Sequence, residues 1–401
     1  RVVEWLLAHG ADANRKGPGD WTPLDHAVGR RAAPDEGFAS VIRLLRQHAA
    51  RTTARAAVAE GDAEWLRARH ADGVLTNPIE DTGGLLTIAV RYNRIDILQM
   101  LLDFGFDPNE RVRLEDLEEA QYSAGMPLWH AAQQGRYRMA ELLLQRGADP
   151  NVNVYASGSS VYSAYSAGDK RMVELLRRFG GVVDPITVAL FHEEEIAKQM
   201  LSTGARDAPP HDHYAGDTVA EHLLWGAACS GNVAILRAAL EYVDWPRDDP
   251  HWYEMLDQPL RSWNRNAPSQ DGFVECFRMI LERCDPNIPH PRIYRTILHD
   301  VCGVRSHVPE ETAVAFATLL LDKGARIDVR DELLRSTPLG WACRWGRAGL
   351  VKLLLARGAD PVEADAEPWA TPRAWAAKQN HAEILGILSG ISENADGPVH
   401  E

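Results

Sequence analysis

Apolar residues recur along this chain in short helical blocks separated by small, polar turns. The clearest block is Ser336-Thr-Pro-Leu-Gly-Trp-Ala-Cys-Arg-Trp-Gly346, followed by Leu350-Val-Lys-Leu-Leu-Leu-Ala-Arg-Gly-Ala-Asp-Pro361. The Thr337 hydroxyl can cap a helix, and Pro338 takes the first helical position, where a missing N–H costs nothing. Ala342 and Cys343 are small, so a second helix can lie close. Gly346 ends the first helix. Leu350, Val351, Leu353, Leu354 and Leu355 give the second helix an apolar face, Gly358 ends it, and Asp360-Pro361 turns the chain away. Such a two-helix unit is too small to bury its own apolar stripe, so neighbours must stack to complete a core.

The unit recurs throughout. With Thr337 as position one, matching registers begin at Thr22, Thr52, Gly84, Met126, Ser159, Asp184, His222, Gln258, Thr296, Thr337 and Thr371, about 35 residues apart. Thr22-Pro-Leu-Asp, Met126-Pro-Leu-Trp-His-Ala-Ala, Thr296-Ile-Leu-His and Thr371-Pro-Arg-Ala-Trp-Ala-Ala are strong openings. Asp184-Pro-Ile-Thr-Val-Ala and Gln258-Pro-Leu-Arg emerge only from the register. The T-P-L-x-x-A opening and L-L-x-x-G-A-D-P close resemble the ankyrin repeat, whose period is about 33 residues. The resemblance covers residues 1–390 and is weakest between 185 and 295. It implies an all-α, ankyrin-type α-solenoid of stacked helix-turn-helix repeats with short finger turns. About eleven units plus an N-terminal half-unit would span 1–390, irregular over 185–295, with a disordered tail at 391–401. Arg1-Val-Val-Glu-Trp-Leu-Leu-Ala-His-Gly-Ala-Asp-Ala-Asn14 reads as the second half of a repeat. Because solenoids normally close with a polar cap, a fragment of a longer protein is expected.

Several stretches interrupt the register: Arg30–Gly37, residues 110–125 with the acidic Leu114–Glu119, the polar Ala208–Tyr214, and Arg305–Glu311. Residues 244–272, with Trp245, Trp252, Tyr253 and Trp263, depart from it most. Trp129, Trp225, Trp341 and Trp375 fall on helices and are expected to fill gaps between units.

Composition narrows the partner class. A net charge of −14 argues against binding nucleic acid or acidic membranes through bulk electrostatics. No apolar run approaches the roughly 20 residues needed to span a bilayer. Five cysteines do not form a disulfide framework; Cys302 and Cys343 occupy a position where Ala is usual and read as small buried residues. A reducing, cytoplasmic setting is expected, with the chain a monomer.

Candidate chemistry is sparse. His192-Glu-Glu-Glu-Ile196 lacks the second His that a helical zinc-protease pair requires. His211-Asp212-His213 has no Cys or Glu at a spacing that completes a tetrahedral set. Cys276 and Cys284 are too far apart for a metal knuckle. The acidic pairs Asp248-Asp249 and Glu193–Glu195 read as surface charge, and no nucleotide loop or nucleophile elbow is present. The reading is therefore of no catalytic residues, no metal and no cofactor.

What remains is surface. The resemblance makes the finger residue before position one, and positions eight and nine, the concave binding face. Those positions hold Trp21, Arg91, Tyr92, Gln133, Gln134, Phe191, His192, Arg344 and Trp345, with Lys378 and Gln379 beyond. Aromatics and Arg are enriched at binding hot spots, although a Trp or Tyr at such an edge can equally pack on its neighbour. The first expectation is a non-catalytic protein–protein interaction scaffold that binds a folded partner through the concave face and finger loops. Its acidic balance favours a basic partner surface. The alternative is a regulatory or targeting arm of a larger enzyme whose catalytic domain lies upstream of residue 1. A third reading places a small-molecule or metal site at 208–272.

Overall fold

The computed structural model describes residues 1–17, 20–28, 36–79, 83–114, 122–123, 125–154, 157–209, 216–263, 270–305 and 307–395. Regular structure among these residues is helical, with isolated β-bridges only in finger turns, such as Tyr122 with Arg113 and Val154. One helix, Val2–Ala8, precedes eleven helix pairs. The chain divides into two compact units, Arg1–Val183 and Asp184–Glu401.

In the first unit the pairs are Pro23–Val28 with Glu36–Gln47, Ala54–Glu60 with Ala63–Ala71, and Leu85–Arg91 with Ile95–Asp103. Pro127–Gln133 with Tyr137–Gln145 and Ser160–Ser166 with Lys170–Arg178 follow. First helices pack on first helices of adjoining pairs. A first helix is thus covered on both flanks, which is why every residue of Leu85–Arg91 is buried. Short, apolar or small side chains make up most of it, with Arg91 enclosed at its end. Its polar ends still need partners. Thr53 and Ser159 supply a side-chain oxygen to the N–H of Ala56 and Tyr162. Gly84 has no side chain, and Glu110 of the following finger substitutes for one. It accepts from the N–H groups of Gly84 (3.0 Å), Leu86 (3.3 Å) and Thr87 (2.6 Å) and from Asn77 Nδ2 (2.7 Å). Burial pushes the Glu110 carboxyl up, and these hydrogen bonds oppose the shift.

An asparagine connects successive finger turns. Asn109 Nδ2 donates to Gly147 O (2.9 Å) while its Oδ1 accepts from Asp149 N (2.7 Å). Asn151 does the same to Gly180 O (2.9 Å) and Val182 N (2.8 Å), and Asn14 to Ala49 O (3.1 Å) and Arg51 N (2.6 Å). In the second unit Asn287 joins Gly324 O (3.2 Å) and Arg326 N (2.8 Å).

The second unit holds Pro185–Leu190 with Glu194–Gly204, Val219–Ser230 with Val233–Ala239, and His251–Arg261 with Gln270–Leu281. Ile297–His299, continued by a π-turn over Asp300–Val304, pairs with Glu310–Asp322. Pro338–Arg344 with Ala348–Ala356 and Pro372–Lys378 with Ala382–Ala395 complete it. Gly303 lets two rings close on this turn: a Cβ there would lie 2.4 Å from Trp345 Cδ1 and 2.6 Å from Trp341 Cε3. Trp341 and Trp375 are buried, as is Trp129 in the first unit, whereas Trp225 is half-buried.

The structure shifts several expected registers. The second pair is capped by Thr53, one residue beyond Thr52. His222 does not open a helix: Thr218 does, with Glu221 completing a capping box, and His222 lies buried one turn inside. Gln258 sits near the end of a helix begun at His251, so the Gln-Pro pair that imitates an opening is interior. Between 185 and 295 the pairs still pack in succession, and the irregularity is mainly one of length, with first helices of 12 and 11 residues where 7 is common elsewhere. The last helix runs through residues 391–395, which were expected in the tail. Residues 30–35, all of the acidic Leu114–Glu119 stretch but Leu114, and His211-Asp212-His213 lie outside the described residues.

Two buried groups give direct tests of this packing. His299 accepts at Nδ1 from Thr296 N (3.1 Å) and donates from Nε2 to Val329 O (3.1 Å), so it is held neutral; burial lowers its pKa to about 4. The folded value lies below the unfolded 6.5, so its contribution to stability is full above that pH and is lost as pH falls toward 4. Burial raises the neighbouring Asp300 to about 6, which acts in the opposite sense, so the titration is best read at the imidazole itself. The His299 Cε1–H resonance should titrate near pH 4; a midpoint above 6 would contradict the buried neutral ring. Burial also pushes the thiols of Cys229, Cys276, Cys284 and Cys343 up to about 12, and raises that of Cys302. A thiol reagent at about pH 8 should label the native chain far more slowly than the denatured one. Equal labelling rates would show the cysteines are not enclosed.

Candidate functional site

Each first helix ends in a turn that returns the chain to its second helix, and the last residues before the turn form a common edge. Cations suit these ends because the unpaired carbonyls there carry partial negative charge. In the last four pairs the edge carries one cation each: Arg261, Arg305, Arg344 and Lys378. Trp345 follows Arg344 at the helix end and is 46% exposed while its ring rests on Gly303. Below it, buried Arg347 pairs with Glu310 (3.0 Å) and donates to Val308 O (3.0 Å), while Glu310 accepts from Gly349 N (2.6 Å). These contacts fix the turn from which Trp345 projects.

The cations have different surroundings. Arg305 makes a fork to Asp257, with Nη2 2.6 Å from Oδ2 and Nε 2.9 Å from Oδ1. Arg261 lies 3.8 Å from the same carboxylate and stays largely exposed. The Arg344 guanidinium sits 4.3 Å from the centre of the Trp375 ring and 5.8 Å from that of Trp345, and Lys378 Nζ is 5.2 Å from Trp375. Among the described residues neither Arg344 nor Lys378 makes an ion pair with a carboxylate.

The other expected contact residues are divided. Trp21 is 9% exposed beneath Arg55, whose guanidinium is 4.3 Å from its ring. Arg91 is 1% exposed, as the last residue of an enclosed helix. Neither presents the exposed side chain that was expected of it; Arg55 of the adjoining pair covers Trp21. Tyr92 is half-buried, with its hydroxyl donating to Val28 O (3.1 Å). Gln133 and Gln134 are exposed, and Gln133 lines a shallow cavity of about 380 Å³ with Trp129, Ser157, Tyr162, Ser163 and Ser166. Phe191 is half-buried. His192 is exposed at a positive φ of 59° and accepts from Asn232 Nδ2 (2.9 Å). The His192–Ile196 stretch straddles the turn between two helices rather than lying on one, so it offers no helical ligand face. Of these residues, Arg344 and Trp345 lie together, with Arg344 also over the Trp375 ring that Lys378 approaches. Arg261 was missed because the misplaced Gln258 register hid the end of the helix begun at His251, where a basic residue in the last turn was the available signal. Arg305 lies past positions eight and nine of the Thr296 register, just beyond the π-turn over Asp300–Val304, and so reads as part of an interhelical extension.

Stacked helix pairs with equivalent exposed helix ends define a repeat protein. A family model described as ankyrin repeats (3 copies) matches residues 1–154 and 267–365, and the chain belongs to the ankyrin repeat family. Over 322 residues, 71% of this chain, it is 24% identical to the ankyrin repeat and KH domain-containing protein mask-1 of Caenorhabditis elegans, covering 12% of that protein. It is 35% identical over 122 residues to human ankyrin repeat domain-containing protein 63, covering 30% of each chain. A 47-residue stretch, 12% of this chain, is 53% identical to 7% of the palmitoyltransferase Hip14 of Drosophila melanogaster. The chain thus spans well under two thirds of the length of these relatives.

The edge and the layer beneath it should respond differently to truncation. Trp375→Ala, which empties a 3%-exposed site, should cost about 3–5 kcal/mol in urea unfolding. Trp345→Ala should cost about 1 kcal/mol. Equal costs would mean that Trp345 is a core residue rather than part of a surface.

Proposed function

We propose that this chain is a non-catalytic protein-interaction module. Its contact face is the edge of first-helix ends in the C-terminal pairs, together with the neighbouring fingers. The observation that carries the reading is Trp345, a large aromatic left half-exposed on a rigid turn beside the cationic Arg344. Trp and Arg are the side chains that most often dominate binding energy, and a fixed turn lowers the ordering cost of using them. Ankyrin repeats generally mediate protein binding, which supports the same reading from the family. Five unpaired thiols support a reducing compartment such as the cytoplasm. A second reading, a targeting arm within a larger enzyme, draws support from the relatives, in which the matched repeats are a fraction of a longer protein and one is a palmitoyltransferase.

Immobilised chain should retain a protein from native extract that the Arg344→Ala/Trp345→Ala variant loses, with both chains melting at nearly the same temperature. Equal retention by the variant would remove this edge from the contact. The full open reading frame separates the two readings, since a catalytic domain encoded upstream would favour the second.

A further inference from the structure

We infer that this edge takes an extended acidic segment of its partner, with carboxylates set against Arg261, Arg344 and Lys378 and an apolar side chain against Trp345. The inference rests on the protein-interaction reading above and adds the chemistry of what is bound.

The local charge runs against the bulk. The chain carries 57 acidic and 43 basic residues, so an arginine placed at random should find a carboxylate, and several partly or fully exposed ones do. Arg330 bridges Glu363 and Asp365, Arg357 meets Asp322, and Arg278 meets both Glu275 and Glu282. Arg344 and Lys378 are turned instead toward Trp375, at 4.3 and 5.2 Å. An aromatic face holds a cation in place while leaving its charge uncompensated and its N–H groups available to a carboxylate. The helix dipole accounts for a cation at each helix end. It does not account for a half-exposed Trp345 seated on Gly303 beside them, which is what an apolar anchor would meet.

Geometry sets the spacing of such a segment. Packed helices lie about 8–10 Å apart, and an extended strand advances about 3.3 Å per residue. Successive edge cations are therefore matched by an acidic residue at every third position. Arg305, held at 2.6 Å by Asp257, leaves the corresponding place in the segment without a charge requirement, whereas Arg261 meets that carboxylate only at 3.8 Å and stays largely exposed. A long polyanion such as single-stranded nucleic acid would meet the repulsion of a chain of net charge −14. A short acidic segment feels mainly charges within about 10 Å.

The test uses the whole chain and fluorescent peptides of about 15 residues, of which one carries Glu at every third position with Leu and Phe between. A second replaces each Glu by Gln, a third reorders the same residues, and a single-stranded oligonucleotide of equal charge is the polyanion control. The period-three acidic peptide should bind at least about tenfold tighter than the other three probes, and less tightly as salt rises. Arg261→Gln/Arg344→Gln/Lys378→Gln should weaken it by about tenfold or more, and Trp345→Ala should weaken it while the salt dependence persists. Gln keeps much of each side-chain stem and all three sites lie at the surface, so an unchanged melting temperature is expected for the triple variant. Equal binding of the Gln or reordered peptide, tighter binding of the oligonucleotide, indifference to the triple variant, or no binding of the acidic peptide would each overturn the inference. A protein partner retained through Arg344 and Trp345 while the acidic peptide fails would leave the interaction-module reading standing. Failure of both would remove both.

Discussion

Everything in this structure depends on the enclosure of the first helix of each pair. Flanked by equivalent helices, it has little face to give to solvent, and its side chains are mostly short or apolar, with Arg55 and Arg91 the enclosed exceptions. Leu85–Arg91 is buried at every residue, and Pro338–Cys343 is buried throughout. A helix of about two turns leaves most of its N–H and C=O groups at its ends, so enclosure makes capping compulsory. Asp184, Thr337 and Thr371 cap from within their own unit, while Glu110 reaches back from the next finger to the bare Gly84. Cap and neighbour are thus one requirement seen from two sides. Each unit is finished by the next.

The fold was legible where cap chemistry and apolar spacing agree, as at Thr337 and Thr371, and illegible where one imitates the other. Gln258-Pro259 looks like an opening because Pro commonly follows a cap. The true start lies at Asp249-Pro250-His251, where Asp249 Oδ1 accepts from His251 N (2.9 Å). Likewise Thr218 and Glu221 cap the helix that a match to Leu223–Gly231 places one turn late. Both errors come from helices longer than the common first helix, a length that a fixed-period register cannot express. The finger asparagines were visible as residues in Asp-Pro-Asn turns, or in Asp-Ala-Asn for Asn14. Their reach into the next turn, about 40 residues away for Asn109, has no local signature.

The candidate site divides along the same line. Arg344 and Trp345 stand at positions that the repeat makes exposed, and they are exposed in part. Trp21 and Arg91 occupy comparable positions and are covered, Trp21 by Arg55. Exposure at this edge depends on the side chain that the adjoining unit happens to place there. That is a pairwise property of two repeats, and a register read one unit at a time does not contain it.

The sign of the edge is settled below its surface. Arg295 is paired with the fully buried Asp300 (2.8 Å), which also accepts a hydrogen bond from Tyr253, and Arg305 is held by Asp257. A buried charge without its partner is costly, and these two guanidiniums are each matched by a carboxylate. Asp300 is committed to interior balance, and Asp257, forked to Arg305, reaches the rim only at Arg261, 3.8 Å away. Arg344 and Lys378 lie over an aromatic ring, which attracts a cation without cancelling it. A chain that is acidic as a whole can therefore present a cationic, aromatic strip at one edge, because packing between particular units, rather than composition, decides which charges remain uncompensated.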